Sequence, residues 1–235
     1  MKKVFLSVIA ILVVWAGKAT AQVDDMINKH LTAIGGEAAL KNVTSLKVEG
    51  NLEAQGFDIP FTKTVVQGKG FKEVLSVMGT DGYILARVDS GWNFMPFMGQ
   101  SGPMAMGSDE LRQWSDELDA VSNFVDYKSK GCTAVAADAI TVEGKQCPGV
   151  LLTFKNGYKK TFYFDPATWY VLRTVCTKVI QGSETEMQTD YSGYEKLPEG
   201  VVIAKKISGE SATYTINKVT VNGAGDTGVL TPVSK

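Results

Sequence analysis

From Val43 onward, apolar side chains recur at every second position. Leu46, Val48, Leu52 and Ala54 alternate with mostly polar neighbours, Gln55-Gly56 supplies a turn, and Phe57, Ile59, Phe61 and Val65 resume the alternation. A period of two broken by turn residues predicts strands. Shorter strands are expected over 70–78 and 82–89. Beyond residue 131 the pattern becomes a meander, with strands near 133–142, 148–154, 158–164, 169–179, 184–191, 201–208 and 211–221. Glu143-Gly144, Asn156-Gly157, Asp165-Pro166, Gln181-Gly182 and Pro198-Glu199-Gly200 separate these runs. Asn-Gly between β-rich segments is a strong hairpin signal. The expectation is a mainly β fold of eleven strands with a few helices. Its core would be one large, strongly curved antiparallel sheet, left open as a half-barrel.

Two segments follow the helical period instead. Met26, Ile27, His30, Leu31 and Ile34 share one face after Asp24-Asp25, and Gly35-Gly36 ends the pattern. Aspartates in a first turn suit the helix dipole. A further turn is expected over Glu37 to Lys41. Leu111, Trp114, Leu118 and Val121 predict a second helix over 109–122, capped by Ser108.

The first residues read as an address. Met1-Lys2-Lys3 is basic, Val4 to Ala16 is almost wholly apolar, and Ala19-Thr20-Ala21 offers small residues for cleavage. This is the pattern of a signal peptide over 1–21, cut after Ala21, with 22–235 as a single mature domain. The apolar run is shorter than the 20 or so residues that a spanning helix requires. Loss of Lys2, Lys3 and Lys18 leaves 21 basic against 25 acidic side chains, net −4. An acidic exported chain does not suit phosphate backbones, so nucleic acid is an unfavoured partner.

Charge and composition narrow the chemistry further. His30 is the sole histidine, which argues against a catalytic triad or a histidine-rich metal site. Cys132, Cys147 and Cys176 contain no C-x-x-C pair. Counting from a turn at Glu143-Gly144 sets Cys147 opposite Ile140, far from Cys132, and a turn at 180–183 sets Cys176 near Met187. Three free thiols are therefore expected, with no disulfide. Gly223-Ala224-Gly225-Asp226-Thr227-Gly228 matches G-x-G-x-x-G literally, but the chain continues for only seven residues beyond it. No helix can follow to receive a phosphate, so the segment reads as a flexible loop. Catalytic residues, metal ligands and cofactors are not expected.

Residues 92–106 fit neither period. They hold Trp92, Phe94, Met95, Phe97, Met98, Met104 and Met106 with two prolines, two glycines and no charge. Methionine and aromatic side chains adapt to irregular apolar partners. Two readings stay open here: a lid over an apolar pocket, or a plug closing the open edge of the sheet.

The order of turns and aromatics resembles the outer-membrane lipoprotein-sorting family, the LolA-like group. The resemblance rests on Ala33-Ile34-Gly35-Gly36, Asp81-Gly82, Gly91-Trp92 before Pro96 and Gly99, and Val142-Glu143-Gly144-Lys145. It continues through Asn156-Gly157 before Tyr163-Phe164-Asp165, and Asp190-Tyr191 before Leu197-Pro198-Glu199-Gly200-Val201. It implies an unclosed half-barrel with helices over its concave face. It also implies a periplasmic, monomeric, non-enzymatic carrier of acylated lipoprotein or lipid, touching membranes transiently and passing cargo to an outer-membrane receptor. On this reading Trp92, Phe94, Met95, Phe97, Met98, Met104 and Met106 form the lid. Leu111, Trp114 and Leu118 form a covering helix face, and Leu46, Val48, Leu52, Phe57, Ile59 and Phe61 form the concave wall. The alternative is a sensor or interaction module of the same fold, its cavity filled by side chains and its partner a protein.

Overall fold

The computed structural model describes residues 21–180, 182–223 and 227–232, so all of the expected export signal (1–21) except Ala21 lies outside the described residues. Thirteen strands form one antiparallel sheet. A first meander runs through β1 (Ser45–Ala54), β2 (Phe57–Val66), β3 (Gly70–Val77), β4 (Thr80–Arg87), β5 (Gly91–Phe94) and β6 (Met104–Ala105). A second runs through β7 (Thr133–Val142), β8 (Lys145–Thr153), β9 (Lys159–Phe164), β10 (Val171–Ile180), β11 (Ser183–Lys196), β12 (Val202–Ser208) and β13 (Ala212–Val221). The meanders join where β1 pairs with β13, the one pairing of strands that are not consecutive. Among the described residues β6 and β7 are the edge strands, and the sheet does not close.

The turns follow from local chemistry. Gln55-Gly56, Met78-Gly79 and Glu143-Gly144 each place two successive residues at positive φ. That is the two-residue turn whose twist matches the flanking strands. Register follows directly: Val142 faces Lys145, Ile140 faces Cys147, and Cys176 faces Met187, as counting from the turns predicts. The three cysteines are free thiols. The β1–β13 seam needs Gly50, where an added Cβ would stand 2.0 Å from the Thr215 carbonyl oxygen.

Three helices accompany the sheet: α1 (21–33), α2 (Glu37–Lys41) and α3 (Ser108–Arg112). Met26, Ile27, His30, Leu31 and Ile34 are all buried, so the first helical face is as its spacing predicts. The helix expected over 109–122 is corrected. It is α3, a 3₁₀ turn at Ser115–Leu118, and irregular turns up to β7. Gly107, not Ser108, is the N-cap, and no side chain caps the helix. The strand count rises from eleven to thirteen because Gly91–Phe94 and Met104–Ala105 pair within the methionine-rich segment.

The segment from 106 to 132, here called the strap, crosses from one edge strand to the other. Trp114 lies 5.6 Å from the Phe71 ring on β3 and 4.5 Å from the Lys178 ammonium on β10. Those strands are six places apart, roughly 29 Å on a flat sheet. One indole bridges them because the sheet curls around the strap. The main core fills this concave face, with Phe71, Phe124, Phe164, Leu85's neighbour Ala86, Val150 and Leu152 at its centre.

Candidate functional site

The strap is fastened to both meanders. On the first, Gly68 N–H donates to the Leu118 carbonyl (2.9 Å), and Gln67 bonds Asp119 and the Ala120 N–H (2.7 Å each). On the second, Val179 N–H donates to Gln113 (2.9 Å) and Asn156 donates to Ser115 (2.7 Å). Between them lie two inward-facing ion pairs: Lys63–Glu117 at 2.5 Å and Lys160–Asp116 at 2.7 Å. Glu73 stands 3.8 Å from Lys63 and accepts the Tyr214 hydroxyl at 2.9 Å. Burial alone would raise the Glu117 carboxyl. The charges of Lys63 and Lys160 outweigh it and hold that carboxyl down at about 2. Burial opposes the charge on Lys63 and Lys160 too, yet their acidic partners raise both.

The expected lid residues divide between the two faces of the sheet. Met95 and Phe97 lie over Gly82, and Met106 and Leu111 over Gly91, all on the concave side. Leu111, Trp114 and Leu118 pack against the main core, though not as one helix. Met98 and Met104 are exposed. Trp92 and Phe94 depart from the expectation. Their register with Leu85 and Tyr83 turns them to the convex face, beside Val66 and Leu230 in a second, smaller core. The last described turn, Thr227–Leu230, covers that core, and Arg87 donates to the Leu230 carbonyl. Of the segment 223–228 read as a flexible loop, 224–226 lie outside the described residues; 227 and 228 open the turn, and Val229 and Leu230 beyond it do the packing.

Leu46, Val48, Leu52, Ile59 and Phe61 face the concave side as expected, most of them under the core. Phe57 shares that face but is 59% exposed at the strand tip. Register continues this row across the sheet: Ile59, Leu52, Tyr214, Ile207 and Tyr191 stand side by side. Ile59, Tyr214, Ile207 and Tyr191 are only half-buried. The concave face is thus packed at the α1 end and partly uncovered at the end carrying the Gln55-Gly56 and Met78-Gly79 turns. A separate open groove of about 420 Å³ lies between the strap and β10, lined by Asp109, Glu110, Gln113, Trp114, Lys178 and Val179.

This architecture recurs in solved structures. An outer membrane lipoprotein-sorting protein domain from Vibrio parahaemolyticus aligns with a TM-score of 0.56 at 13% identity, covering 89% of this chain and 98% of its own. A DUF1329 family protein from Desulfovibrio piger aligns with 0.56 at 14% identity, covering 89% and 97%. A LolA superfamily protein from Nitrosomonas europaea aligns with 0.51 at 10% identity, covering 80% and 94%. The fold is LolA-like. No family model matches the chain, and no curated protein matches it in sequence.

Within this LolA-like frame, His30 is a core residue. Its Nδ1 bonds the Trp169 carbonyl at 2.9 Å, and its ring packs against Phe124 and Phe164. Burial depresses its pKa to about 4 against the opposing pull of the Trp169 bond. Among the described residues, no group of three or more His, Cys, Asp or Glu is placed to hold a metal. No helix among them is long and apolar enough to cross a membrane. The ion pairs under the strap were not expected from the sequence. Their signal was present: Lys63 sits between Phe61 and Val65, and Lys160 between Tyr158 and Phe162, in the inward register.

Proposed function

We propose that the protein is exported to the periplasm and carries an acylated molecule, a lipoprotein or a lipid, without performing catalysis. The observation that carries this reading is the half-buried row Ile59, Tyr214, Ile207 and Tyr191 at the uncovered end of the concave face. An apolar row inside a curved sheet is a place for an acyl chain to lie. Burial is worth roughly 0.8 kcal/mol per methylene, on the order of 10 kcal/mol for a dozen before ordering costs. A LolA superfamily protein and a lipoprotein-sorting domain among the structures of this fold support the cargo class. A longer chain would need the strap to shift, since the rest of the face is filled.

That filled face favours a second reading, in which the protein binds another protein and no lipid. Native mass spectrometry of the exported protein, purified without detergent, separates the two. The carrier reading expects an added mass that extracts into organic solvent as acyl lipid or lipopeptide. It also expects uptake of an added diacylated lipopeptide that Ile207→Glu reduces. A bare protein mass with no uptake of lipopeptide or phospholipid overturns the carrier reading in favour of the protein-binding one.

A further inference from the structure

Three large apolar side chains stand in water at one end of the sheet. Phe57 is 59% exposed beside the β1–β2 turn, Met78 is 93% exposed in the β3–β4 turn, and Met98 is 76% exposed after β5. The antiparallel order puts all three at the same end. The contact of Phe97 with Gly82 near the start of β4 fixes the Met98 turn there too. At strand spacing the fringe spans roughly 20 Å. It borders the uncovered end of the concave face.

Met78 is the telling residue. It occupies the left-handed region at φ 51°, a conformation that turns fill with asparagine, aspartate or glycine. It gains no burial in return. A side chain that strains its turn and packs on nothing in its own chain marks a contact outside it.

We propose that this end of the protein docks on a zwitterionic lipid bilayer, inserting Phe57, Met78 and Met98. The three project from separate turns, and a fluid apolar layer receives separate projections where a protein would need three matching pits. Each two-residue turn is part of a paired hairpin, so a tip enters with most of its backbone polar groups already bonded. The tips carry Asp58 and Asp81 and no lysine or arginine, which disfavours an anionic surface. Docking here would face the open end of the concave surface toward the bilayer. The inference concerns binding to bare lipid and stands whether or not the protein carries cargo.

The test is co-flotation of the exported, processed protein with vesicles of phosphatidylethanolamine and phosphatidylcholine, without any lipoprotein. Wild type is expected to float, with little change between low and high salt, and less on vesicles doped with phosphatidylglycerol. The variant Phe57→Ser/Met78→Asn/Met98→Ser is expected to lose roughly tenfold or more of its partitioning. Met78→Asn alone should weaken partitioning while raising the melting temperature, because it relieves the turn. Val88→Ser, an equally exposed apolar site at the opposite end, should leave partitioning unchanged. A wild type that stays with neither vesicle overturns the proposal and leaves a protein as the occupant. Equal flotation of the triple variant, or an equal loss in Val88→Ser, overturns it as well.

Discussion

At the scale of single residues, His30 ties the helix, the strap and the sheet together and makes their union sensitive to acid. Its ring is buried between Phe124 of the strap and Phe164 of β9, and Trp169 accepts its hydrogen bond. The folded side chain takes a proton only near pH 4, whereas an unfolded histidine does so near 6.5. Unfolding therefore gains a proton between those values. Stability is unaffected above pH 6.5, falls as pH drops from 6.5 to 4, and has lost about 3 kcal/mol once both states are charged. Glu117 adds a second step, because its depressed carboxyl stabilises the fold above about 4.5 and loses that effect toward 2. Urea midpoints measured from pH 8 to 3 should show the first step, and His30→Gln should flatten it while sparing the second. An unchanged slope between pH 6.5 and 4 in that variant would count against the assignment, since His30 is the sole histidine.

At the scale of elements, the strap is held by charge as well as by apolar packing. Lys160 and Asp116 are both buried, and the second Asp116 oxygen has no hydrogen-bond partner among the described residues. Removing one member of such a pair strands the other charge. Lys160→Met should cost about 3–5 kcal/mol, and Lys160→Met with Asp116→Leu should recover most of it, as buried pairs replaced by apolar side chains often do. Chemical denaturation of the two singles and the double completes the cycle; additive losses would show that the pair is not coupled. The same charges explain where the sequence was legible. Strand positions and registers were readable because a period of two and X-Gly turns determine them locally. The apolar spacing of Leu111, Trp114, Leu118 and Val121 correctly marks residues that face the core. It does not reveal the backbone, because Asp116 and Glu117 between them reach Lys160 and Lys63 on opposite meanders, and tertiary pairing overrides the helix. The split of the methionine-rich segment was hidden for a related reason. Trp92 and Phe94 go to the convex face because β5 joins the sheet in register with Leu85 and Tyr83, and nothing within 92–106 announces that pairing.

At the scale of the whole molecule, an unclosed sheet keeps two edges, and the two are protected unequally. β6 is two residues long, a length too short to template another strand. β7 has ten residues, reads Thr-Ala-Val-Ala-Ala-Asp-Ala-Ile-Thr-Val, and carries one charge, Asp138. Its pairing with β8 is interrupted between Ala137 and Ile140, and such a bulge twists an edge away from a flat partner. The half from Thr133 to Ala137 lacks both devices, and Val135 there is 54% exposed. Long, apolar, uncharged edges invite pairing with a second chain. Val135→Lys should therefore slow self-association of concentrated protein, followed by light scattering, while its melting temperature stays within a degree or two of wild type, since the side chain leaves no core contact behind. A lysine at Asp138 in place of the aspartate should do less, because the bulge already guards that half. Equal protection from both substitutions would mean that net charge, not the exposed edge, governs the association.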